Sequence, residues 1–410
     1  MTARTSRESS DRDLLLPVKY YALTAVVGLV DFLFGATSVA VLLGRGFSGT
    51  QVGLVAAGGM LIAALVEVPS GAWGDKFGLR LVAAAGLATW GAGLVVFAIG
   101  SAFWIVLVSL CLWAGGAAMH SGAPMSLVVN VLHSTDRSEA VPAVIRRAQT
   151  TRWVASTVGA VAAIGLLKVL KPNVVIMLGG VILVVTAGWV ARAWPDVRAN
   201  QRLQSTAFYV RSALRLILSR NLTVLLLISS FVSVPAAIMM VSWQPAGLSI
   251  AQINEKYLPL VFLSYSLGAA AGAWLSKLSR VLVSARAVFI MSLLMLVALF
   301  AATTVGPAAV VIAFFAAEVL SGALLTSLAI VQQDAFPSSL RNTLTSGFSM
   351  CAALAWSISS LAFGLAWHSL GIHGALRWLP LTVIVIVGLA ALSFVVLRPR
   401  ATVDPNRAIT

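Results

Sequence analysis

Charged residues are scarce in this sequence. Only 10% of its 410 residues are Asp, Glu, Lys or Arg, whereas soluble chains carry roughly a quarter. Apolar residues make up 60% of the chain. A water-soluble fold cannot bury that much apolar surface, because buried surface is limited by the size of the core. The composition therefore excludes an ordinary soluble protein.

Cysteine and histidine are also scarce. Cys111 and Cys351 lie in separate apolar runs, and the four histidines are scattered along the chain. A disulfide framework, a metal site or a nucleophilic site needs such residues in a convergent set. The GxxxxGK[ST] loop that binds nucleotide phosphates does not occur either. We expect no cofactor and no metal, and a membrane-embedded enzyme or sensor is the less favoured alternative.

Long uncharged runs dominate what is present. No charged residue occurs in the 55 positions between Arg80 and Asp136, or in the 31 between Arg286 and Glu318. A hydrocarbon core of about 30 Å takes about 20 apolar residues of helix, so the first run holds two spans. Twelve apolar stretches bounded by charge, glycine or proline are predicted as transmembrane helices: 20–44, 53–74, 81–100, 102–127, 148–167, 173–191, 222–241, 258–276, 287–305, 308–331, 344–368 and 379–397.

The distribution of basic residues predicts the topology. The net charge is +15, but the basic residues lie in short loops, and so we expect no nucleic-acid partner. If the first span starts in the cytoplasm, the inner segments hold 23 Lys and Arg and the outer segments hold five. Cytoplasmic loops retain an excess of such residues. This predicts a multi-pass protein of the cell membrane with both termini cytoplasmic.

The chain divides into five regions by composition. Residues 1–18 are polar, lack the apolar core of a signal peptide, and are predicted as a disordered cytoplasmic tail. Residues 19–193 and 221–398 are predicted six-helix bundles, and 399–410 is a second cytoplasmic tail. The linker 194–220 alternates basic and apolar residues, which indicates an amphipathic segment on the anionic inner leaflet. A solvated linker is the alternative.

An internal repeat relates the two bundles. The sequence GAWGDK at 71–76 recurs as GAWLSK at 272–277, an offset of 201 residues that also carries Tyr20 onto Asn221. A direct repeat is expected when two lobes are related by an axis along the membrane normal. The predicted fold class is an all-α membrane protein with twelve transmembrane helices in two pseudo-symmetric six-helix bundles.

The loop after the second span carries the most specific motif. Its sequence GAWGDKFGLR at 71–80 resembles the major facilitator superfamily signature, usually written GxxxD(R/K)xGR(R/K). Small residues there allow helices to approach closely, and a glycine takes the positive φ of a sharp reversal. The residues that carry the resemblance are Gly71, Gly74, Asp75, Lys76, Gly78 and Arg80.

This resemblance implies a transporter that works by alternating access. In that family the acidic residue of the loop pairs with the opposite half and closes the cytoplasmic side, a role that falls here to Asp75, with Lys76 and Arg80 as accompanying basic residues. The alternative is that these three residues mark the lipid boundary. Span four lacks the Arg-containing RxxxG pattern at 112–117, and span five lacks GPxxGG at 159–165. These departures leave the coupling mechanism open.

Three carboxylates lie inside predicted spans. A charge at the bilayer centre costs roughly 2.5 to 3.5 kcal/mol, so each is a candidate functional residue. Asp31 is about 18 Å of helix from Lys19, near the midplane of span one, and is the first candidate for proton coupling or cation binding. The resemblance makes spans one, four, seven and ten line the cavity, so Glu318 in span ten is the second. Glu67 precedes Pro69 and is assigned to a hinge or gate. A structural hydrogen bond is the alternative for each.

Arg152 has two interpretations. The apolar run from Arg152 to Leu167 is too short to span, so helix five is predicted to begin near Arg146 and to bury Arg152. Pairing with Asp31 and snorkelling to the headgroups are both open. Four residues then share one helix face: Gln149, Arg152, Ser156 and Gly159.

Roles are predicted for two further residues, His120 and Trp243. His120 in span four is a candidate proton relay, because imidazole ionises near neutral pH; a packing role is the alternative. Trp243, beside Pro245 at the end of span seven, is predicted to anchor the helix at the membrane interface.

The predicted function is export of a lipophilic or cationic small molecule by proton antiport. An apolar cavity with few fixed charges suits amphiphilic ligands. The alternative is an importer or symporter of a small organic nutrient. Expected partners are a small-molecule substrate, protons and membrane lipids, with the protein as a monomer.

Overall fold

A computed structural model describes residues 15–195, 219–276, 278, 280–304, 306–336 and 341–396, and this part of the chain is almost entirely helical. Most of the predicted tails and linker lies outside these ranges. The helices in chain order are α1 Leu16–Gly35, α2 Ser38–Gly44, α3 Gly49–Phe77, α4 Leu79–Ile99, α5 Phe103–Ser134, α6 Val141–Leu166, α7 Pro172–Ala193, α8 Arg220–Ser249, α9 Leu258–Leu275, α10 Ala285–Ala301, α11 Pro307–Ala335 and the long stretch Arg341–Val396.

The long stretch is two helices. Gly371, with φ 71° and ψ 170°, interrupts it and divides it into α12 (341–370) and α13 (372–396). This backbone conformation is accessible to glycine and strained for other residues. The prediction of two separate spans here is confirmed, although a single residue makes the turn.

The described helices account for the twelve predicted spans. Nine described stretches are long and apolar enough to cross a membrane, one of which contains both α12 and α13. Helix α10 is apolar over 17 residues. Helix α6 has 26 residues and begins at Val141, one to two turns before the predicted start near Arg146. The chain is therefore a multi-pass membrane protein.

Each half of the chain packs as one lobe. In the first lobe α4 lies between α5 and α7, α1 packs on α6, and α3 packs on α5. In the second lobe α11 contacts α9 and α10, and α8 contacts the stretch that holds α12 and α13. Helices α9 and α11 cross backbone to backbone, since a Cβ on Gly272 or Gly322 would overlap a carbonyl group of the other helix. Small residues at such crossings are typical of membrane bundles.

The bundle has two ends, the terminal face and the far face. The terminal face is the end at which α1 begins, α7 ends, α8 begins and α13 ends. The far face is the opposite end, at which α2 is followed by α3. The connections between helices are short, so successive spans run in opposite directions.

The lobes contact each other in their far-face halves. The hydroxyl of Ser357 in α12 donates to the carbonyl oxygen of Ala57 in α3 at 2.8 Å. The rings of Phe32 in α1 and Phe262 in α9 lie 4.8 Å apart. Helix α2 also contacts α8, and α6 contacts α9. These contacts close the far face.

The predicted span 20–44 lies within one apolar stretch long enough to cross a membrane, but its helix is broken between α1 and α2, where Thr37 has φ −138° and ψ −3°. One prediction about the far-face ends is wrong. Trp243 is not an interfacial anchor: it is 3% exposed and stacks on Phe262 at 5.3 Å. Helix α8 continues past Trp243 to Ser249, which places this tryptophan inside the contact between the lobes.

Candidate functional site

Arg152 and Asp31 form an ion pair in the interior of the first lobe. The Arg152 Nη2 atom donates to Asp31 Oδ2 at 2.6 Å. Of the two interpretations of Arg152, the structure therefore shows pairing with Asp31. The Arg152 and Asp31 side chains keep 46% and 31% of their surfaces exposed, so the predicted burial of Arg152 is wrong. The exposure of Asp31 is notable because it lies four turns inside α1. The pair thus forms part of the wall of an open cavity.

The crossing of α1 and α6 brings this pair together. The Ser156 hydroxyl donates to the carbonyl oxygen of Gly28 at 3.1 Å. A Cβ on Gly28 would lie 2.6 Å from the carbonyl oxygen of Arg152, and one on Gly159 would lie 3.0 Å from that of Leu29. Three of the four residues of the predicted face, Arg152, Ser156 and Gly159, therefore face α1.

The cavity beside the ion pair has a volume of about 320 Å³. This is within the range of about 300 to 1,000 Å³ typical of small-molecule sites, which are mostly apolar with a few polar groups. Residues of α1, α4, α5 and α6 line it: Tyr20, Thr24, Val27, Asp31, Trp90, Trp113, Ala117, His120, Ser121, Pro124, Met125 and Arg152. Sequence reasoning found Asp31, His120 and Arg152 of this set and missed the aromatic wall.

His120 lies on the α5 side of the same cavity. Its ring packs edge to face on Trp90, with the ring centroids 6.1 Å apart, and it bonds to the backbone of Ala83. Its Nδ1 atom has no hydrogen-bond partner among the described residues. The ring therefore packs against an aromatic neighbour, and the proton relay assigned to His120 stays a prediction.

Glu318 lies in the second lobe and is not among the residues that line this cavity. It is close enough to Tyr265 of α9 for the two side chains to interact electrostatically. Tyr265 is buried and contacts the rings of Trp243, at 5.8 Å, and Phe314, at 6.1 Å. The structure thus separates the two carboxylate candidates, one in each lobe.

The loop motif makes the predicted turn. Gly78 lies between α3 and α4 with φ 93°, which confirms the expected positive φ. The Arg80 Nη1 atom donates to the carbonyl oxygen of Trp194 in the same lobe, at 3.2 Å, and Lys76 Nζ lies 5.1 Å from the ring centroid of Phe77. A Cβ on Gly74 would meet the side chain of Leu79, in the following helix.

Gly71, Asp75 and Glu67 complete the set assigned to the turn and gate. Gly71 and the side chain of Asp75 lie outside the part of the chain that can be described. Glu67 is half-buried in α3, where its carbonyl oxygen accepts a hydrogen bond from Ser70, and Pro69 follows inside the helix. The gate assigned to these residues stays a prediction.

Gln244 is the polar residue that sequence reasoning did not assign. It is fully buried at the far-face end of α8 and makes two hydrogen bonds to the backbone of the first lobe, with Ala40 and Gly35. An amide side chain inside an apolar run was the available signal, but its partners are about 200 positions away in the chain.

Two helical lobes that meet at one face, with a ligand-sized cavity and an ion pair in its wall, define a membrane transporter rather than an enzyme. The sequence matches the Major Facilitator Superfamily over residues 20–360. The chain belongs to that family. Comparison with curated protein sequences finds no match.

Solved transporters share the fold across nearly the whole chain. A bacterial homologue of the human lysosomal transporter Spinster, inward-facing and unoccupied, aligns with a TM-score of 0.71 at 12% identity, covering 94% of this chain and 96% of that one. The nucleoside transporter NupG aligns with a TM-score of 0.72 at 11% identity, covering 94% and 99%. A POT family transporter in complex with a thioalcohol-conjugated peptide aligns with a TM-score of 0.66 at 10% identity, covering 95% and 97%. At these identities the likeness defines the fold.

Proposed function

We propose that this transporter exports a lipophilic or cationic small molecule from the cytoplasm by proton antiport, with alternating access between two lobes. The observation that carries the proposal is the Asp31–Arg152 pair, half-open to a cavity whose wall includes Trp90 and Trp113. Aromatic faces bind both apolar groups and cations. The Asp31 carboxylate in the same wall binds a cationic ligand through its opposite charge.

Asp31 is the group that exchanges a proton for substrate. A charge inside the membrane is tolerated when it is paired, and Arg152 neutralises Asp31 when neither ligand is bound. A cationic substrate competes with Arg152 for the carboxylate, and a proton on the carboxylate abolishes the attraction for both. Because proton and substrate use the same oxygen atoms, each excludes the other, as antiport requires. His120 relays the proton along the cavity wall.

Glu318 provides a second carboxylate in the opposite lobe. Its neighbour Tyr265 belongs to an aromatic cluster with Trp243 and Phe314. This arrangement supports a role for Glu318 as a second proton or cation site, in the second lobe.

The proposed orientation in the membrane rests on the charges of the loops. The excess of Lys and Arg on the terminal face supports a cytoplasmic location for that face in the cell membrane. The closed far face is then the outer one, and the cavity opens to the cytoplasm. In the opposite conformation Asp75, Lys76 and Arg80 close the cytoplasmic side, while Gly71, Gly74, Gly78 and Glu67 form the turn and hinge that move them. Transport is carried out by the monomer in contact with lipid.

Transport in proteoliposomes with an imposed pH gradient tests the proposal, with a fluorescent lipophilic cation as the probe. In the parent protein, probe and protons move in opposite directions. Asp31→Asn removes the exchangeable proton and is expected to abolish gradient-driven flux. Ser369→Ala, at an exposed position outside the cavity, is the control and retains it. Unchanged gradient-driven flux in Asp31→Asn would remove Asp31 from the mechanism, and flux of probe and protons in the same direction would support the importer instead.

A further inference from the structure

The first span is interrupted where it contacts the other lobe. Helix α1 ends at Gly35 and α2 begins at Ser38, and Thr37 between them has a non-helical backbone. The end of one helix leaves carbonyl groups without intrahelical partners, and the start of the next leaves N–H groups without them. In an apolar environment such groups must find other partners.

The side chain of Gln244 satisfies one group of each kind. Its Oε1 atom accepts from the backbone N–H of Ala40 at 2.8 Å, and its Nε2 atom donates to the carbonyl oxygen of Gly35 at 2.8 Å. The two partners require a side chain that donates and accepts at once, which fixes the orientation of the amide. Gln244 belongs to α8, so both hydrogen bonds join one lobe to the other.

Aromatic rings seal the surroundings of these bonds. Trp243 stacks on Phe262, and Phe262 packs against Phe32. A Cβ on Gly35 would lie 3.1 Å from the ring of Phe262. Gln244 is 0% exposed, so solvent does not replace its bonds while the far face is closed.

We propose that Gln244 is the latch of the far-face gate, which holds the interrupted first span and so stabilises the conformation that is closed at the far face. This proposal rests on alternating access by the two lobes, and not on the substrate or on proton coupling. Opening the far face must separate α8 from α1 and α2, and both hydrogen bonds of Gln244 break together. Asp31 lies one turn before Gly35 on the same helix. A shift of this helix when the Asp31–Arg152 pair breaks would therefore move the Gly35 carbonyl group that Gln244 holds.

The test measures far-face opening without substrate. Cysteines at exposed far-face positions, Val169 of the first lobe and Lys256 of the second, carry spin labels in a background in which Cys111 and Cys351 are replaced by serine. Electron spin resonance then reports the distribution of distances between the two labels in lipid nanodiscs. The parent protein is expected to show mainly the short distance of the closed far face.

Two substitutions of Gln244 make separate predictions. Gln244→Leu keeps the volume and removes both hydrogen bonds, so the ratio of far-face-open to far-face-closed protein rises about tenfold. In Gln244→Glu the protonated carboxyl group mimics the amide, because its O–H donates to the Gly35 carbonyl oxygen and its C=O accepts from the Ala40 N–H. The ionised form has no donor and repels the Gly35 carbonyl group. The open fraction of Gln244→Glu therefore rises with pH, and the parent protein measured over the same range corrects for the titration of Asp31 and other groups.

Gln332→Leu is the matched control. Gln332 donates to Ser229 at 3.1 Å within the second lobe, so its loss leaves the label distances unchanged. Label distances that are unchanged in Gln244→Leu and independent of pH in Gln244→Glu would overturn the latch. If Gln244→Leu does not fold, the pH series of Gln244→Glu decides alone. A failure of Asp31→Asn to affect flux would overturn the antiport proposal and leave these measurements intact.

Discussion

Gly53 of α3 and Gly364 of α12 bring the backbones of the two lobes into direct contact. A Cβ on Gly364 would lie 2.7 Å from the Cα atom of Gly53, and a Cβ on Gly53 would lie equally close to the Cα atom of Gly364. The Ser357–Ala57 hydrogen bond lies deeper in the membrane, one turn from Gly53 along α3 and two turns from Gly364 along α12. The far face closes here because neither glycine has a side chain.

Gly364→Ala is therefore expected to open the far face. The added methyl group meets backbone atoms that cannot move independently, and overpacking of this kind typically costs about 1 to 3 kcal/mol. This cost falls on the closed conformation alone. The label pair at 169 and 256 is expected to show a larger open fraction. The control is Gly388→Ala in α13, where a Cβ meets nothing within 4 Å; equal distance distributions in the two variants would contradict the prediction.

The Arg152–Asp31 pair is expected to contribute modestly to stability. Both side chains are about a third to a half exposed, so solvent screens their attraction, and we expect a coupling energy of about 1 kcal/mol rather than that of a fully buried pair. Thermal unfolding of Arg152→Met, Asp31→Asn and the double variant measures it as a double-mutant cycle. Additive effects of the two substitutions would mean that the pair does not stabilise the fold.

His120→Phe separates proton relay from packing. Phenylalanine keeps the ring contact with Trp90 but carries no proton. If His120 relays protons, the variant binds a fluorescent lipophilic cation as the parent does, while flux driven by a pH gradient falls. Flux equal to that of the parent would assign His120 to packing alone.

The crossing of α9 and α11 is expected to determine the stability of the second lobe. A side chain on Gly272 overlaps the carbonyl group of Val319, so Gly272→Val forces the helices apart at a cost of about 1 to 3 kcal/mol or more. We expect a lower thermal unfolding temperature in detergent. Gly388→Val is the control, and an unfolding temperature as high as that of the control would argue against a tight crossing.

The span pattern was predictable because it is local. Runs such as 81–135 exceed the thickness of a bilayer without a charge, and α4 and α5 fill that run in the structure. The positive φ of Gly78 was predictable for the same reason, since a sharp reversal between two spans requires glycine. The start of α6 before Arg152 followed from the length that a span needs.

The interruption of the first span and the burial of Trp243 were not predictable in this way. No residue of 36–37 is a helix breaker, and the backbone groups on either side of the break bond to Gln244, about 200 positions away. A tryptophan near the end of an apolar run is usually interfacial, and only the packing of α9 against α8 and α1 buries this one.

The sequence by itself determined that the chain crosses the membrane many times, how its spans divide into two halves, and which carboxylates lie inside them, because apolar length and charge act within one helix. The tertiary structure alone decided that Arg152 pairs with Asp31, that aromatic residues of several helices surround them, and that Gln244 joins the two lobes. These contacts depend on where helices cross. Crossing points are set by shape complementarity between distant segments, which no local pattern of residues contains.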